Sequence, residues 1–501
     1  MTARAIILDA PTVAAQPWPR HVLSPETWTG MSHALAANAT LDLRAMWADT
    51  THVHVFLYDT EAADFLFASV PVESGLYAAL SPARPGAAWF ERMIRDLWGH
   101  NPADALDTRP WLDHGHWTAT PPMAARPLPN LAAPEPVEFL PAQGDDLHQI
   151  AVGPVHAGII EPGHFRFTCS GETIVRLEVR LGYLHKGTLG LLRGKSPRVG
   201  ARFAARLSGD STVAHSTAFA HAAEAACATA APPRAASLRA IMGELERIAN
   251  HLGDIGAIAG DASFSLLQSH FAWQREAVLR GCKAAFGHRL MMDAVIPGGV
   301  AQDLTADGAD AIQSVLNGIE TEWPALIALY DDTSSLVDRM QTTGILKPEL
   351  AARFAPGGFV GRASGQAFDT RRNPGHAPYD RLDVASAFAE SGDVDARVRV
   401  RLFEIAESIR LLHTLLDELP AGPVALTLPI VSAEGIGWAE GFRGDIWHWL
   451  RLEGGLIVHA FLCDPSWRQW PLLQTAIEGN IVADFPLCNK SFNCSYSGVD
   501  L

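Results

Sequence analysis

What most constrains this chain is a set of long helical periodicities. In "SLRAIMGELERIANHLGDIGAI" the apolar residues Leu238, Ile241, Met242, Leu245, Ile248, Leu252 and Ile255 keep three- and four-residue spacings, which line one helical face. "SLLQSHFAWQREAVLRGCKAAF" and "RVRLFEIAESIRLLHTLLDEL" carry the same pattern over similar lengths. Helices this long gain their stability by burying such faces against one another, so the pattern predicts a helical bundle.

Strand signals flank the helices. "HFRFTCSGETIVRLEV" reads as a hairpin turned at Ser170-Gly171, and "DIWHWLRLEGGLIVHAFLCD" as another around Gly454-Gly455. Earlier, "HVHVFLYD" (His52 to Asp59) alternates as a strand does, and "AAWFERMIRDLWGH" sets Trp89, Met93, Ile94 and Leu97 on one helical face. Between these regions six prolines fall from Pro121 to Pro136, a density that excludes helix and central strand. The expected organisation is an N-terminal tail over 1–34, a small mixed α/β domain over 35–117, a Pro-rich linker over 118–145 and a large domain over 146–501. The fold class is α+β: a helical-bundle domain with small flanking β-sheets behind the small mixed one.

Composition narrows the function. Hydrophobic residues make up 48% of the 501 positions, and the formal net charge is −16. An acidic chain without clustered basic surface is not built for nucleic acid. Six cysteines are scattered with no C-x-x-C pair, a usage that suits a reducing compartment. The apolar run before Asp9 is too short for a signal peptide. No apolar stretch approaches the roughly 18 residues of a membrane span, and no G-x-G-x-x-G unit marks a dinucleotide site.

The motifs "GPVHAGIIEPGHFRF", "RLGYLHKGTLGLL", "GELERIANHLGDIGAIAGD", "GRASGQAFDTRRNPGHAPYDRL" and "DVDARVRVRLFEIAESIRLLHTLLDELPAGPV" follow one another in a fixed order. Taken together they resemble the large subunit of membrane-bound, energy-converting nickel–iron hydrogenases, formate hydrogenlyase included. They also resemble the homologous quinone-site subunit of respiratory complex I. "ERMIRDLWG" and "RPWLDHGHW" resemble the small peripheral subunit fused ahead of it in many bacteria.

The resemblance implies a metal site and shows it altered. Hydrogenases carry a C-G-x-C pair just before "AHSTA"; here "RLSGDST" places Ser208 and Ser211 on those positions, with Gly209 and Asp210 between. The second pair is aligned after "DP", where "DPSWRQWP" has Ser466 and Gln469. Hydroxyls do not replace thiolates on nickel, so no nickel–iron cluster is expected and this chain is expected to hold no cofactor. The complex I tyrosine that meets the quinone headgroup corresponds to Gly209, which has no side chain.

The resemblance puts the loop histidine at His164 and its carboxylate partner at Asp261, with Glu161 as the acidic residue that moves protons. His215 and Arg362 border the same cavity. Alternatives stand beside these roles: Asp210 as a helix cap, Glu161 as a solvated loop residue, and Arg362, Arg371 and Arg372 as internal salt bridges. The implied setting is an iron–sulfur small subunit with a [4Fe–4S] cluster, antiporter-like membrane subunits, a quinone or other acceptor, and any NADH on a different subunit. That setting puts the chain in the cytoplasm, peripheral on the inner face of the cell membrane. It serves there as an electron-transfer subunit of an oxidoreductase or, alternatively, as a non-catalytic scaffold.

Overall fold

The computed structural model describes every residue except 73, 116, 118–120, 125–137 and 158–159; most of the proline-rich segment therefore lies outside the described residues.

The first 34 residues are structured rather than a tail. Helix α1 (Ala3–Leu8) is capped by Thr2, and α2 (Pro25–Ala36) by Ser24, whose hydroxyl accepts from the Thr27 amide, with Pro25 in its first turn. Between them run β1 (Thr12–Val13) and β2 (Arg20–Val22). These join the meander β3 (Leu41–Ala48), β4 (His52–Asp59) and β5 (Asp64–Pro71) in a sheet ordered β1-β2-β5-β4-β3, where β2 and β5 pair in parallel. The expectation of a tail fails because its strands are two and three residues long, below the length at which alternation can be read. Helix α3 (Ala88–Trp98) buries Trp89, Met93, Ile94 and Leu97 and stops at Gly99, whose φ is +76°.

A second sheet holds β6 (Leu147–Val152), β7 (His164–Ser170) and β8 (Thr173–Arg180), with β7 central. Thr173 pairs with Ser170, so the turn residues are Gly171 and Glu172. The bundle comprises α4 (Thr212–Ala226), α5 (Pro233–Asp261), α6 (Ser265–Phe286), α7 (Ala306–Asp332) and α8 (Val394–Asp417). Helix α5 packs against α6 and α8, and α6 against α7, around a shared core that includes Leu245, Ile248, Leu252, Phe271 and Ile405. Helix α7, which the sequence patterns above do not mark, contains Pro324 within its length.

A third sheet, β9 (Ala433–Gly441), β10 (Gly444–Glu453) and β11 (Leu456–Cys463), joins the two halves of the molecule. Its residues alternate as a strand requires. Trp447 and Trp449 face the N-terminal sheet, where Trp47 stacks on Phe461 at 5.5 Å and Trp18 meets Trp438 at 5.2 Å. His448 points to the other side, toward Phe219 of α4. Helix α4 lies so close on β9 that a Cβ at Gly437 would come within 2.1 Å of the Ala222 amide. The chain ends with α9 (Ser466–Ala476), α10 (Phe485–Phe492) and a buried turn over 495–501.

Candidate functional site

Ser208 precedes and Ser211 ends the single-turn helix Gly209–Ser211 that leads into α4. Both are buried. Ser208 Oγ donates to Asp210 Oδ1 at 2.9 Å and lies 2.8 Å from Ser495 Oγ, while Ser211 Oγ reaches Asp210 at 3.3 Å. Arg443 comes from the two-residue turn between β9 and β10. Its Nη1 and Nη2 hold the two Asp210 oxygens at 2.7 and 2.5 Å, Nη1 also donates to Ser211, and Nε donates to the Asn493 carbonyl. Burial would raise the Asp210 carboxyl, but the Arg443 charge and the hydroxyl bonds outweigh it and hold the group well below the carboxylate range.

Asp210 therefore does not cap α4. That role falls to Glu246 of α5, whose oxygens accept from the Val213 and Ala214 amides at 2.7 and 3.0 Å. Among the described residues no cation is bonded to Glu246, and burial pushes it up to about 8 against those amide bonds. Asn250, one helical turn on, donates to the Asp210 carbonyl.

The second half of the site differs from the sequence alignment. The segment facing Ser208 is the C-terminal turn: Gly498 N–H donates to Ser495 Oγ at 3.0 Å, and Ser495 N–H to Ser466 Oγ at 2.8 Å. Ser466 thus sits one residue behind the contact. Gln469 turns away, donating to the Arg443 and Gly357 carbonyls, and its Oε1 has no partner among the described residues. A Cβ on Gly498 would meet Asp464 Cγ at 2.7 Å. The sequence signal for this turn is the S-x-x-G of "SYSG", which matches the S-x-x-S of "SGDS" and stands masked beside Cys488 and Cys494.

Asp464 anchors a buried relay. His215 Nε2 lies 3.0 Å from Asp464 Oδ2, and His215 Nδ1 lies 3.0 Å from His448 Nε2. Since the carboxylate only accepts, Nε2 carries the His215 proton in the neutral ring and His448 Nε2–H donates onward to Nδ1. His448 Nδ1 is left buried with no hydrogen-bond partner among the described residues. Burial drives the His448 imidazole well below its ordinary value, with His215 adding to the effect.

His164 and Asp261 do not meet. His164 begins β7, packs on Phe139 with ring centres 5.0 Å apart, and has a buried Nε2 without a partner among the described residues. Asp261 ends α5 on the exposed surface, with Lys490 as the cation that acts on it. The ten residues from His251 to Asp261 carry it about 15 Å along the helix. His251 itself donates to Glu404 of α8 at 2.7 Å, a partner across the bundle that no sequence spacing reveals. Glu161 does reach the site's edge, where its carboxylate accepts from the Ser497 amide at 3.1 Å. The loop behind it is tight: a Cβ at Gly163 would meet Tyr496 at 2.6 Å.

Arg362 and Arg371 are internal. Arg362 binds Glu404, Glu440 and Asp369, while Arg371 binds Asp369 and Glu244; Arg247 adds Glu244 and the carbonyls of Glu440 and Gly441. Four carboxylates thus face three guanidiniums. The imbalance falls on Glu440, which burial and the Asp369 charge push up to about 7. Arg372 is exposed.

A family model described as the 49 kDa subunit of the respiratory-chain NADH dehydrogenase matches residues 263–434. The chain is 30% identical over 437 residues to formate hydrogenlyase subunit 5 of Escherichia coli (strain K12), covering 85% of this chain and 77% of that protein. This chain belongs to the formate hydrogenlyase subunit 5 family. Among its other relatives, the carbon monoxide-induced hydrogenase of Rhodospirillum rubrum is 31% identical, matching 69% of this chain and 97% of its own length. An NADH-quinone oxidoreductase subunit from Dehalococcoides mccartyi (strain ATCC BAA-2266 / KCTC 15142 / 195) is 30% identical over 60% of this chain and 84% of its own. In fold, the chain is similar to a chain of the membrane-bound sulfane sulfur reductase, an archaeal respiratory membrane complex. The TM-score is 0.67 and the identity 20%, covering 71% of this chain and 99% of that one.

The residues at the two facing turns do not fit a nickel–iron centre. They offer hydroxyls, a glycine and an Arg–Asp ion pair where soft thiolates are required. Among the described residues no three His, Cys, Asp or Glu side chains are grouped to hold a metal, and all six cysteines are free and buried. No described helix is long and apolar enough to cross a membrane.

Proposed function

We propose that this chain is the peripheral redox subunit of a membrane-bound complex of the hydrogenase and complex I type, working without a nickel–iron centre. The observation that carries the reading is the Arg443–Asp210 pair with Ser208, Ser211 and Ser495 at the junction of the two turns. In this reading a partner subunit's [4Fe–4S] cluster passes two electrons, one after the other. The acceptor, a quinone or a comparable carbonyl compound, takes them with two protons to become the hydroquinone. Arg443 and the serine hydroxyls are donors for the oxygen on which negative charge develops. Glu161, on the loop packed against Tyr496 and Ser497, and His164, at the start of β7 behind that loop, deliver the protons. Any NADH binds another subunit. The chain sits on the cytoplasmic face of the membrane, held there by antiporter-like subunits.

A scaffold role is the second reading, and one observation favours it: Ser208, Ser211, Ser466 and Gln469 are only 0–3% exposed, so an acceptor must open the turn to enter. The deciding experiment is quinone reduction by the purified complex, comparing wild type with Ser208→Ala and His164→Ala. A fall of at least tenfold in kcat for both, with the complex intact, supports catalysis here. An intact wild-type complex inactive with every acceptor supports the scaffold, and stoichiometric nickel in the purified protein would refute both.

A further inference from the structure

A second cluster of titratable groups lies apart from the serine turns. His221, on α4, and His376, in the loop that carries Arg371 and Tyr379, line one cavity of about 230 Å³ with Trp438, Glu224 and Arg239. Their rings stand 4.8 Å apart at an interplanar angle of 63°.

Each imidazole is fixed in one tautomer by the backbone. His221 Nδ1 lies 2.8 Å from the Trp438 carbonyl and His376 Nδ1 lies 3.0 Å from the Ala377 carbonyl. A carbonyl only accepts, so both Nδ1 atoms carry the proton and both Nε2 atoms present a lone pair. Neither Nε2 has a protein hydrogen-bond partner among the described residues. Burial holds both rings neutral, with pKa values lowered to about 3. Among the described residues the cavity wall holds one cation, Arg239, and Glu224 neutralises it through two bonds of 3.0 and 2.5 Å.

A neutral imidazole whose other nitrogen donates to a backbone carbonyl is how proteins orient a metal ligand. A zinc ion about 2.0–2.1 Å from each Nε2 would lie roughly 3 Å from each ring centre, and two rings sharing it would stand about 5 Å apart. We propose that His221 and His376 form a two-histidine site for a borderline divalent transition-metal ion, with water completing the coordination. The ion clasps α4 to the loop of Arg371 and Tyr379, which reach the buried charge network. This site is independent of the redox reading above.

The test is calorimetric titration of Zn²⁺ into the full chain, stripped with chelator and purified without a polyhistidine tag. The expected result is a saturable site of micromolar affinity that raises Tm. It should weaken at least tenfold in His221→Ala and in His376→Gln and persist in His270→Ala, a change to an exposed helical histidine. Circular dichroism of the metal-free variants checks that they fold. Absence of saturable binding in the folded wild type, or binding unchanged in the folded double variant, overturns the proposal.

Discussion

Arg443 is fully buried while its partner Asp210 keeps 39% of its side chain exposed, and that asymmetry sets what each loss costs. Arg443→Ala strands a carboxylate that water still reaches in part. Its expected cost is about 1–3 kcal/mol, below the roughly 3–5 kcal/mol of a fully buried broken pair. Asp210→Ala leaves the guanidinium buried with, among the described residues, Ser211 and the Asn493 carbonyl as its remaining hydrogen-bond partners, and it should cost more than Arg443→Ala. The double variant should recover part of either loss, a non-additivity that urea denaturation of all four proteins can measure. The serine pair is visible in the sequence, as is the fact that no thiolate stands there. Arg443 is not, because an arginine in a two-residue hairpin turn carries no sign of what it reaches, and its partner is 233 positions away.

Helix α4 begins against Glu246 rather than against a residue of its own, so the start of one element depends on the protonation of another. Burial pushes the folded carboxyl up to about 8, well above its ordinary value of about 4.3. Between those two values the folded chain binds a proton that the unfolded chain has released, so this group makes stability fall as pH rises through that window. Glu246→Gln should remove up to one proton's slope, about 1.4 kcal/mol per pH unit, from a plot of unfolding free energy against pH. Glu440 and Asp500, each pushed to about 7, should leave a residual slope of the same sign. The three helices read from apolar spacing are α5, α6 and α8, and they appear as such. Spacing does not say which side chains meet across the bundle. His251 has Glu404 as a partner that no motif announces, whereas His164 and Asp261, a pair by resemblance, lie apart. Likeness to a family transfers the order of motifs better than the contacts between them.

At the scale of the whole molecule, the N-terminal sheet and the large domain share one core through β10. Trp47, Phe56 and Phe65 from the first 117 residues cover Trp447, Trp449 and Phe461, and Arg20 pairs with Glu434 at 2.9 Å. A chain lacking residues 1–117 would expose that aromatic face, so size-exclusion chromatography should show aggregates rather than a folded fragment. The prolines in the sequence mark two regions and suggest independence. Alternation along "DIWHWLRLE" in fact offers large side chains to both faces, which is the mark of a strand buried on both sides.

Gly498 has one more consequence. Asp464 stands 2.7 Å from where a side chain at 498 would begin, and the same aspartate holds His215. Placing cysteines at 208, 211, 495 and 498 would therefore not build a metal centre one step at a time. The change at 498 first has to evict Asp464, and the change at 208 removes a hydroxyl that serves Ser495 and Asp210 together. Either of these changes alone is penalised before any ligand set is complete. The hydroxyls and Asp464 hold one another in place, so a thiolate set would have to be introduced as a whole.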